Sequence, residues 1–225
     1  MMATKRKPVR PSPPARRSPA AHLLIVECES KKLAADDLAI GTEIERLAEI
    51  AFPKKHIVLI QTSTTGQLLQ DLADTFAKHP RFRSVLIVGH SNVQGLKLTS
   101  DPLCAWNAVG EWIARFNPEF LMLTACDAGQ SLPASKLFDA LKDLKEVYAS
   151  PNKFYRDQAY VLFVIIHQLL DQRKMDAQLL VAAQVANYLL TNGVLFKWTR
   201  REFRPGKEVG GKLWDLAAML SRHQA

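Results

Sequence analysis

The chain has 225 residues, 48% hydrophobic and 23% charged, so it is long and apolar enough for one domain with a substantial core. Its net charge is +8, but six basic residues and no acid lie in the first twenty positions, and the remainder carries only about +2. This distribution argues against a broad basic face on the folded body, and the longest strongly apolar run, 160–170, is too short to cross a bilayer.

Residues 1–20 form a basic tail that is rich in Pro and Ser and has few large apolar side chains. Such a segment buries too little surface to offset its ordering entropy, so we expect it to be disordered. It lacks the apolar core of a secretory signal. Nucleic acid is expected as a partner only through this tail, and no membrane contact is expected. Residues 21–225 are predicted to form a single domain.

From residue 22 onward, short apolar runs alternate with longer amphipathic ones. The runs predicted as strands are, in chain order, 22–30, 56–63, 83–92, 118–129 and 145–152. The segments predicted as helices are 35–52, 64–79, 101–116 and 132–144. Thr64 or Thr65 is the expected cap of the second helix, and the Asp101-Pro102 pair is expected to open the third.

This alternation implies parallel strands joined by crossover helices, and the continuous Val/Ile/Leu runs indicate a sheet covered on both faces. The predicted fold is therefore an α/β sandwich with a mostly parallel central sheet. The last part of the domain, 154–225, is predicted to add helices at 155–172 and 175–190, a strand at 194–203 and a helix at 210–223.

Polar residues follow the predicted strands at the edge of the sheet where ligands and catalytic groups gather in open parallel sheets. The first strand ends in Glu27-Cys28-Glu29, the third in His90-Ser91, and the fourth in Cys126-Asp127. If the third and fourth strands are neighbours, about 5 Å apart, His90 and Cys126 can meet at that edge.

A cysteine beside a histidine forms a nucleophile, because the thiolate is the reactive species and the imidazole takes or shares its proton. A helix starting just after Cys126 would place its positive end near the thiolate. The alternative is that each residue is structural: a lone cysteine is usually a small core residue, which is our interpretation of Cys28 and Cys104. Three widely spaced cysteines without CxxC pairs argue against a disulfide framework and a zinc site, and free thiols fit a reducing cytoplasm.

Two segments resemble the His and Cys motifs of caspase-like cysteine peptidases, and the match is best with the CHAT group. They are VLIVGHSNVQGLKLT (85–99) and EFLMLTACDAGQS (119–131), and Gly95-Leu96-Lys97-Leu98 fits the family's Gly-Leu-x-Leu element. The resemblance covers roughly 22–205 and implies a caspase-like three-layer α/β/α sandwich.

The resemblance implies that His90 is the general acid/base, that Cys126 is the nucleophile, and that the backbone N–H groups of Cys126 and Ser91 hold the oxyanion. The family usually has Gly where this chain has Ser91, and a positive φ there would strain a serine. Glu27, Glu29 and Asp127 occupy the stretches that build the specificity pocket, which predicts a preference for Arg or Lys. The alternative is that Glu29 and Asp127 are helix-cap or solvated loop residues.

The function implied by the resemblance is a cysteine endopeptidase that cleaves protein substrates without a cofactor or metal. Such proteins are often cytoplasmic effectors of bacterial defence or programmed death that a partner protein activates in trans. Two alternatives stay open: a caspase-like interaction module that has lost the reaction, and a nucleic-acid-binding protein that acts through the basic tail.

Overall fold

A computed structural model describes residues 21–28, 40–51, 56–98, 101–150, 196–200 and 212–213. The basic tail and the helices predicted at 155–172 and 175–190 lie outside these described residues. The helices are α1 (Ile40–Ala51), α2 (Thr65–Lys78), α3 (Trp106–Ala114) and α4 (Ser131–Ala140). The strands are β1 (Ala21–Glu27), β2 (Ile57–Gln61), β3 (Phe82–Val88), β4 (His90–Asn92), β5 (Gly95–Lys97), β6 (Cys104–Ala105), β7 (Phe120–Thr124), β8 (Glu146–Ala149), β9 (Phe196–Thr199) and β10 (Lys212–Leu213).

Within the described ranges, seven strands form the central sheet, in the order β10-β9-β8-β7-β3-β1-β2. The five predicted strands pair in parallel, while β9 runs antiparallel to β8, and β10 runs antiparallel to β9. The strand predicted at 194–203 is therefore present as β9. The helix predicted at 210–223 is wrong at Lys212–Leu213, because these two residues pair with β9 as a strand.

Helices cover both faces of this sheet. Leu24 and Val26 of β1 belong to the main hydrophobic core, together with apolar side chains of α2, α3 and α4. Leu23 and Ile25 alternate with them and are equally buried, on the side where α1 packs against β1 and β2. The three-layer α/β/α sandwich with a mostly parallel sheet is thus confirmed.

Two side chains, those of Thr64 and Asp101, cap the N-terminus of α2. The Thr64 hydroxyl accepts a hydrogen bond from the backbone N–H of Gln67 at 3.3 Å, as expected for an N-cap. The Asp101 carboxylate accepts another from the N–H of Thr65. The prediction that Asp101-Pro102 opens the third helix is therefore wrong, because α3 begins at Trp106. Asp101 instead caps the N-terminus of α2.

Asp101 gives a prediction about acid stability. The hydrogen bonds from the backbone and side chain of Thr65 lower the pKa of Asp101 below its ordinary value of 3.8. A carboxyl whose pKa is lowered on folding stabilises the fold above its unfolded pKa, and that stabilisation is lost as the pH falls through the folded pKa. Asp101→Asn is expected to lower the melting temperature at pH 7, and the difference from wild type is expected to shrink below about pH 4.

Thermal melts of wild type and Asp101→Asn across this pH range test the prediction, with Asp139→Asn on the exposed surface of α4 as the matched control. A difference in melting temperature that stays constant down to pH 2 would contradict it.

A single side chain from the end of β9 caps the C-terminus of α4. The Arg200 Nε donates to the carbonyl of Leu144 at 2.7 Å, and Nη2 donates to the carbonyls of Phe138, at 2.9 Å, and Leu141. The guanidinium carbon lies 5.3 Å from the centre of the Phe138 ring. Carbonyls at the end of a helix lack partners within the helix and carry partial negative charge, so a cation with several donors satisfies both needs.

Arg200→Ala is therefore expected to reduce the free energy of unfolding by about 2–4 kcal/mol, since it removes charged hydrogen bonds to three carbonyls. Arg200→Lys is expected to recover less than half of this loss, because one ammonium group cannot reach the same carbonyls as the planar fork. Urea unfolding measures both changes, with Arg46→Ala on the exposed side of α1 as the control. Equal stability of Arg200→Ala and Arg46→Ala would rule out the capping role.

Candidate active site

The two segments that carry His90 and Cys126 leave the sheet side by side. Strands β3 and β7 are parallel neighbours, and their last paired residues are Val88 and Thr124. His90 and Cys126 each lie two residues beyond that pair, at the same edge of the sheet. Because neighbouring strands are about 4.8 Å apart, both residues leave the sheet at one place. The neighbour relation on which the predicted Cys–His site depends is therefore present.

The histidine belongs to a small second sheet. The strand predicted at 83–92 is interrupted by a bend at Gly89, and His90–Asn92 forms β4, which pairs antiparallel with β5. Strand β5 in turn pairs antiparallel with β6. His90 is exposed and stands opposite Lys97.

This hairpin is held by two sets of hydrogen bonds. The Asn92 side-chain oxygen accepts from the backbone N–H groups of Gln94, at 2.8 Å, and Gly95, at 3.1 Å, which closes the turn. The buried indole of Trp106 donates to the carbonyl of Asn92 at 3.1 Å, which ties the hairpin to α3. Neither residue was among the predicted site residues. The signal was present in the Asn-x-x-Gly turn, but strands of three residues are too short to show alternation.

Cys126 is half-buried in the turn between β7 and α4, with its side chain as a thiol. The turn is anchored to the end of the neighbouring strand β8, since the N–H of Gly129 donates to the carbonyl of Ser150 at 2.7 Å. Helix α4 begins at Ser131, one residue before the predicted start at 132 and five residues after Cys126. Because the field of a helix falls off within about one turn, its effect on Cys126 is small.

Ser91 connects the histidine hairpin to the cysteine turn. It lies in β4, half-buried, and its hydroxyl donates a hydrogen bond to the backbone carbonyl of Cys126. The non-glycine residues of the described chain with positive φ are Asn117 and Asp127, so Ser91 does not adopt the strained conformation expected for this position. A serine therefore fits here without backbone strain.

Asp127, directly after the cysteine, has a left-handed backbone with φ of 58°. This conformation costs an L-residue about 1–2 kcal/mol, and less for Asp, whose side chain tolerates it better than most. A neutral hydrogen bond contributes about 1 kcal/mol, so the bond from Ser91 to the preceding carbonyl is large enough to offset the strain. The side chain of Asp127 is half-buried at the same sheet edge as Cys126.

Glu27 does not line an open pocket. Its side chain is 1% exposed, and its two oxygens accept hydrogen bonds from the N–H of Gly41, at 2.9 Å, and the amide of Gln61, at 2.7 Å. A Cβ at Gly41 would lie 3.0 Å from the Glu27 carboxyl carbon, so the carboxylate needs the glycine to reach the start of α1. The predicted substrate-binding role of Glu27 is replaced by a structural one. Glu29 lies outside the described residues.

The other two cysteines differ from each other. Cys28 is 1% exposed in the main core, as expected for a small core residue. Cys104 is half-buried in β6, with its sulfur 3.7 Å from the hydroxyl of Thr65. It packs against the same core from its edge and is not fully enclosed by it. The described residues contain no cluster of three or more His, Cys, Asp or Glu suited to a metal ion, and no described helix is long and apolar enough to cross a membrane.

Comparison with known proteins finds no relative from which a function follows. No protein-family profile and no curated protein matches the chain. Among solved structures, it is similar to the crystal structure of GanP, a glucose-galactose binding protein from Geobacillus stearothermophilus, with a TM-score of 0.34 and 13% identity over 70% of this chain. The chain spans 49% of that protein's length. A likeness of this size describes neither a ligand nor a reaction for the present protein.

Proposed function

We propose that this protein is a cysteine endopeptidase similar to the caspase-like CHAT peptidases, with Cys126 as nucleophile and His90 as general acid/base. One observation carries the proposal: β3 and β7 are adjacent and parallel, and His90 and Cys126 each lie two residues beyond the last shared pair, Val88 and Thr124. The mostly parallel three-layer fold is the one that the resemblance implies, and it presents both residues at the edge where open sheets build their sites.

The reaction follows from these groups. The imidazole of His90 takes the Cys126 thiol proton, and the sulfur forms a bond to the scissile carbonyl carbon. The resulting oxyanion accepts hydrogen bonds from the backbone N–H groups of Cys126 and Ser91, and one such donor contributes about 3–4 kcal/mol to the transition state. As the C–N bond breaks, His90 delivers its proton to the departing amine. His90 then deprotonates a water molecule, which hydrolyses the thioester and regenerates the thiol.

The interaction module that has lost this reaction is the second candidate, and its sequence support was the strain expected at Ser91. The extended backbone of Ser91 removes that support. An effector that a partner activates, in the cytoplasm, is the biological setting that the resemblance implies, so the isolated protein is expected to cleave slowly.

The test combines cleavage with labelling. Wild-type protein is incubated with a panel of unfolded and native proteins, and separately with a peptidyl acyloxymethyl ketone, after which mass spectrometry locates the modified cysteine. We expect cleavage of one or more proteins and modification at Cys126. Labelling at Cys126 without cleavage also supports the nucleophile. Labelling of Cys126 no faster than that of Cys104, which is also half-buried, would reject the proposal if no cleavage is seen.

The pocket preference for Arg or Lys now depends on Asp127, since Glu27 is engaged inside the fold. Asp127→Asn keeps the shape of the side chain and removes its charge. It is expected to reduce the ratio of kcat/KM for Arg-ended over Leu-ended peptides about two- to fivefold, the size of a partly exposed ion pair. Wild-type cleavage of Leu- or Ala-ended peptides but not Arg-ended ones would end the idea of a basic preference.

A further inference from the structure

The hydroxyl of Ser91 links the two residues whose backbone N–H groups are proposed to hold the oxyanion. It donates to the carbonyl of Cys126 across the gap between the β3–β4 connection and the turn after β7. The side chains of a strand project away from its backbone donors, so this hydroxyl can bond to the turn while the Ser91 N–H keeps its own direction. The contact comes from a side chain that glycine, the usual residue at this place in the resembling family, does not have.

This bond fixes the orientation of one peptide plane. The carbonyl of Cys126 and the N–H of Asp127 belong to the same planar unit and point in opposite directions. With the carbonyl held toward β4, Asp127 takes its φ of 58°. Rotating the plane by half a turn would return φ of Asp127 to the ordinary negative range, and it would break the bond to Ser91. The turn therefore has two arrangements, and the hydroxyl favours the one in which Asp127 is left-handed.

The hydroxyl itself is held in place. Ser91 stands opposite Leu96, which is buried, and the next residue, Asn92, closes the hairpin turn and accepts from the Trp106 indole. The turn after β7 is also anchored, through the bond from Gly129 to Ser150. Two anchored segments joined by one hydrogen bond keep a constant separation, which oxyanion stabilisation requires.

We propose that Ser91 is a positioning residue: its hydroxyl holds the carbonyl of Cys126 at a fixed separation from β4, so that the backbone N–H groups of Ser91 and Cys126 stay close enough to hold one oxyanion. The inference rests on the proposed peptidase function. It makes this chain depend on a side chain at a place where the resemblance requires only a backbone N–H.

Kinetics of Ser91→Ala and Ser91→Thr provide the first test. Alanine keeps the backbone donor and removes the hydroxyl, so kcat is expected to fall about 10- to 100-fold with KM unchanged. Threonine keeps a hydroxyl on a β-branched side chain suited to a strand, and it is expected to restore at least half of the wild-type kcat. Unchanged kcat in Ser91→Ala, or no recovery in Ser91→Thr, would overturn the proposal.

Two classes of inhibitor separate positioning from general damage. A peptide aldehyde adds to the thiol and forms an oxyanion that uses the backbone donors, whereas iodoacetamide alkylates the thiol without forming one. From aldehydes ending in Arg, Leu and Asp, the one that inhibits wild type best is used. Ser91→Ala is expected to weaken its binding at least tenfold and to leave the rate of Cys126 alkylation within twofold of wild type. A parallel loss in both would show that the hydroxyl supports the turn only.

A stability measurement tests the peptide orientation without any activity. Asp127→Gly relieves the left-handed backbone, so it is expected to raise the urea midpoint of the wild-type protein relative to Asp127→Asn. In the Ser91→Ala background the peptide is free to turn, and this gain is expected to disappear. Glycine also raises the conformational entropy of the unfolded chain, but this effect is the same in both backgrounds and cancels when they are compared.

The outcomes remain distinguishable. One outcome is that the gain in urea midpoint disappears in the Ser91→Ala background while the wild-type protein neither cleaves peptides nor is labelled at Cys126. That result keeps the orienting role of Ser91 and rejects the peptidase function. A gain of equal size in both backgrounds overturns the role of Ser91, whatever the activity.

Discussion

Replacing Cys126 by alanine is expected to reduce peptide cleavage at least about 10⁴-fold, because the covalent step loses its nucleophile. His90→Ala is expected to cost about 10²–10⁴-fold, the usual contribution of a general acid/base. The two residues act in one proton transfer and one bond-forming step, so the double variant is expected to be no slower than Cys126→Ala alone. Single-turnover and steady-state cleavage of the same peptide measure these rates.

Cys104→Ala is the matched control for this experiment, since it removes a thiol that is half-buried like that of Cys126 but takes no part in the proposed reaction. It is expected to keep wild-type activity. If the rate loss of the double variant equals the product of the two single losses, His90 and Cys126 act independently. Undiminished cleavage by Cys126→Ala would place the nucleophile elsewhere.

Gly95→Ala is expected to reduce the free energy of unfolding by about 3 kcal/mol or more, because the added Cβ overpacks a contact between two backbones. A Cβ at this position would lie 2.1 Å from the carbonyl oxygen of Cys104 and 2.7 Å from its carbon. Both are backbone atoms of the paired strand β6, so the clash cannot be relieved by turning a side chain. The β4–β5 hairpin must shift, and His90 is expected to shift with it, which reduces cleavage as well.

Gly66→Ala is the control, because Gly66 lies in the first turn of α2 with nothing within 4 Å of an added Cβ. There the same change is expected to stabilise the fold by about 0.5–1 kcal/mol. Urea unfolding of the two variants gives the comparison. If Gly95→Ala unfolds at the wild-type midpoint, the close approach of β5 and β6 is not required for the fold.

The parallel sheet could be predicted from the sequence because its strands are continuous apolar runs, which are buried on both faces and alternate with amphipathic helices. The placement of His90 and Cys126 at one edge followed from the same rhythm, since parallel strands end together. The N-cap at Thr64 was a local signal of the same kind, in which one side chain serves its own helix.

What could not be predicted depends on partners that are distant in the chain. Glu27 has the position of a pocket residue, but α1 and β2 supply donors fourteen and thirty-four residues away and bury it. Asp101 has the local pattern of a helix start, yet it caps a helix that lies earlier in the sequence, because Cys104 and Ala105 pair with β5 before α3 begins. Strands of two or three residues, as in the second sheet, are fixed by such contacts and leave almost no periodicity.

The hydrogen bonds from Arg200 also affect the order in which parts of the fold form during synthesis. The carbonyls that it caps are 56 to 62 residues earlier, and β8 also has β9 as its outer neighbour. While residue 200 is still being added, α4 is left with exposed carbonyls and β8 with an open edge, beside the turn that carries Cys126. Because contacts of such long range form late, the region of the proposed nucleophile is completed only after synthesis has passed Arg200.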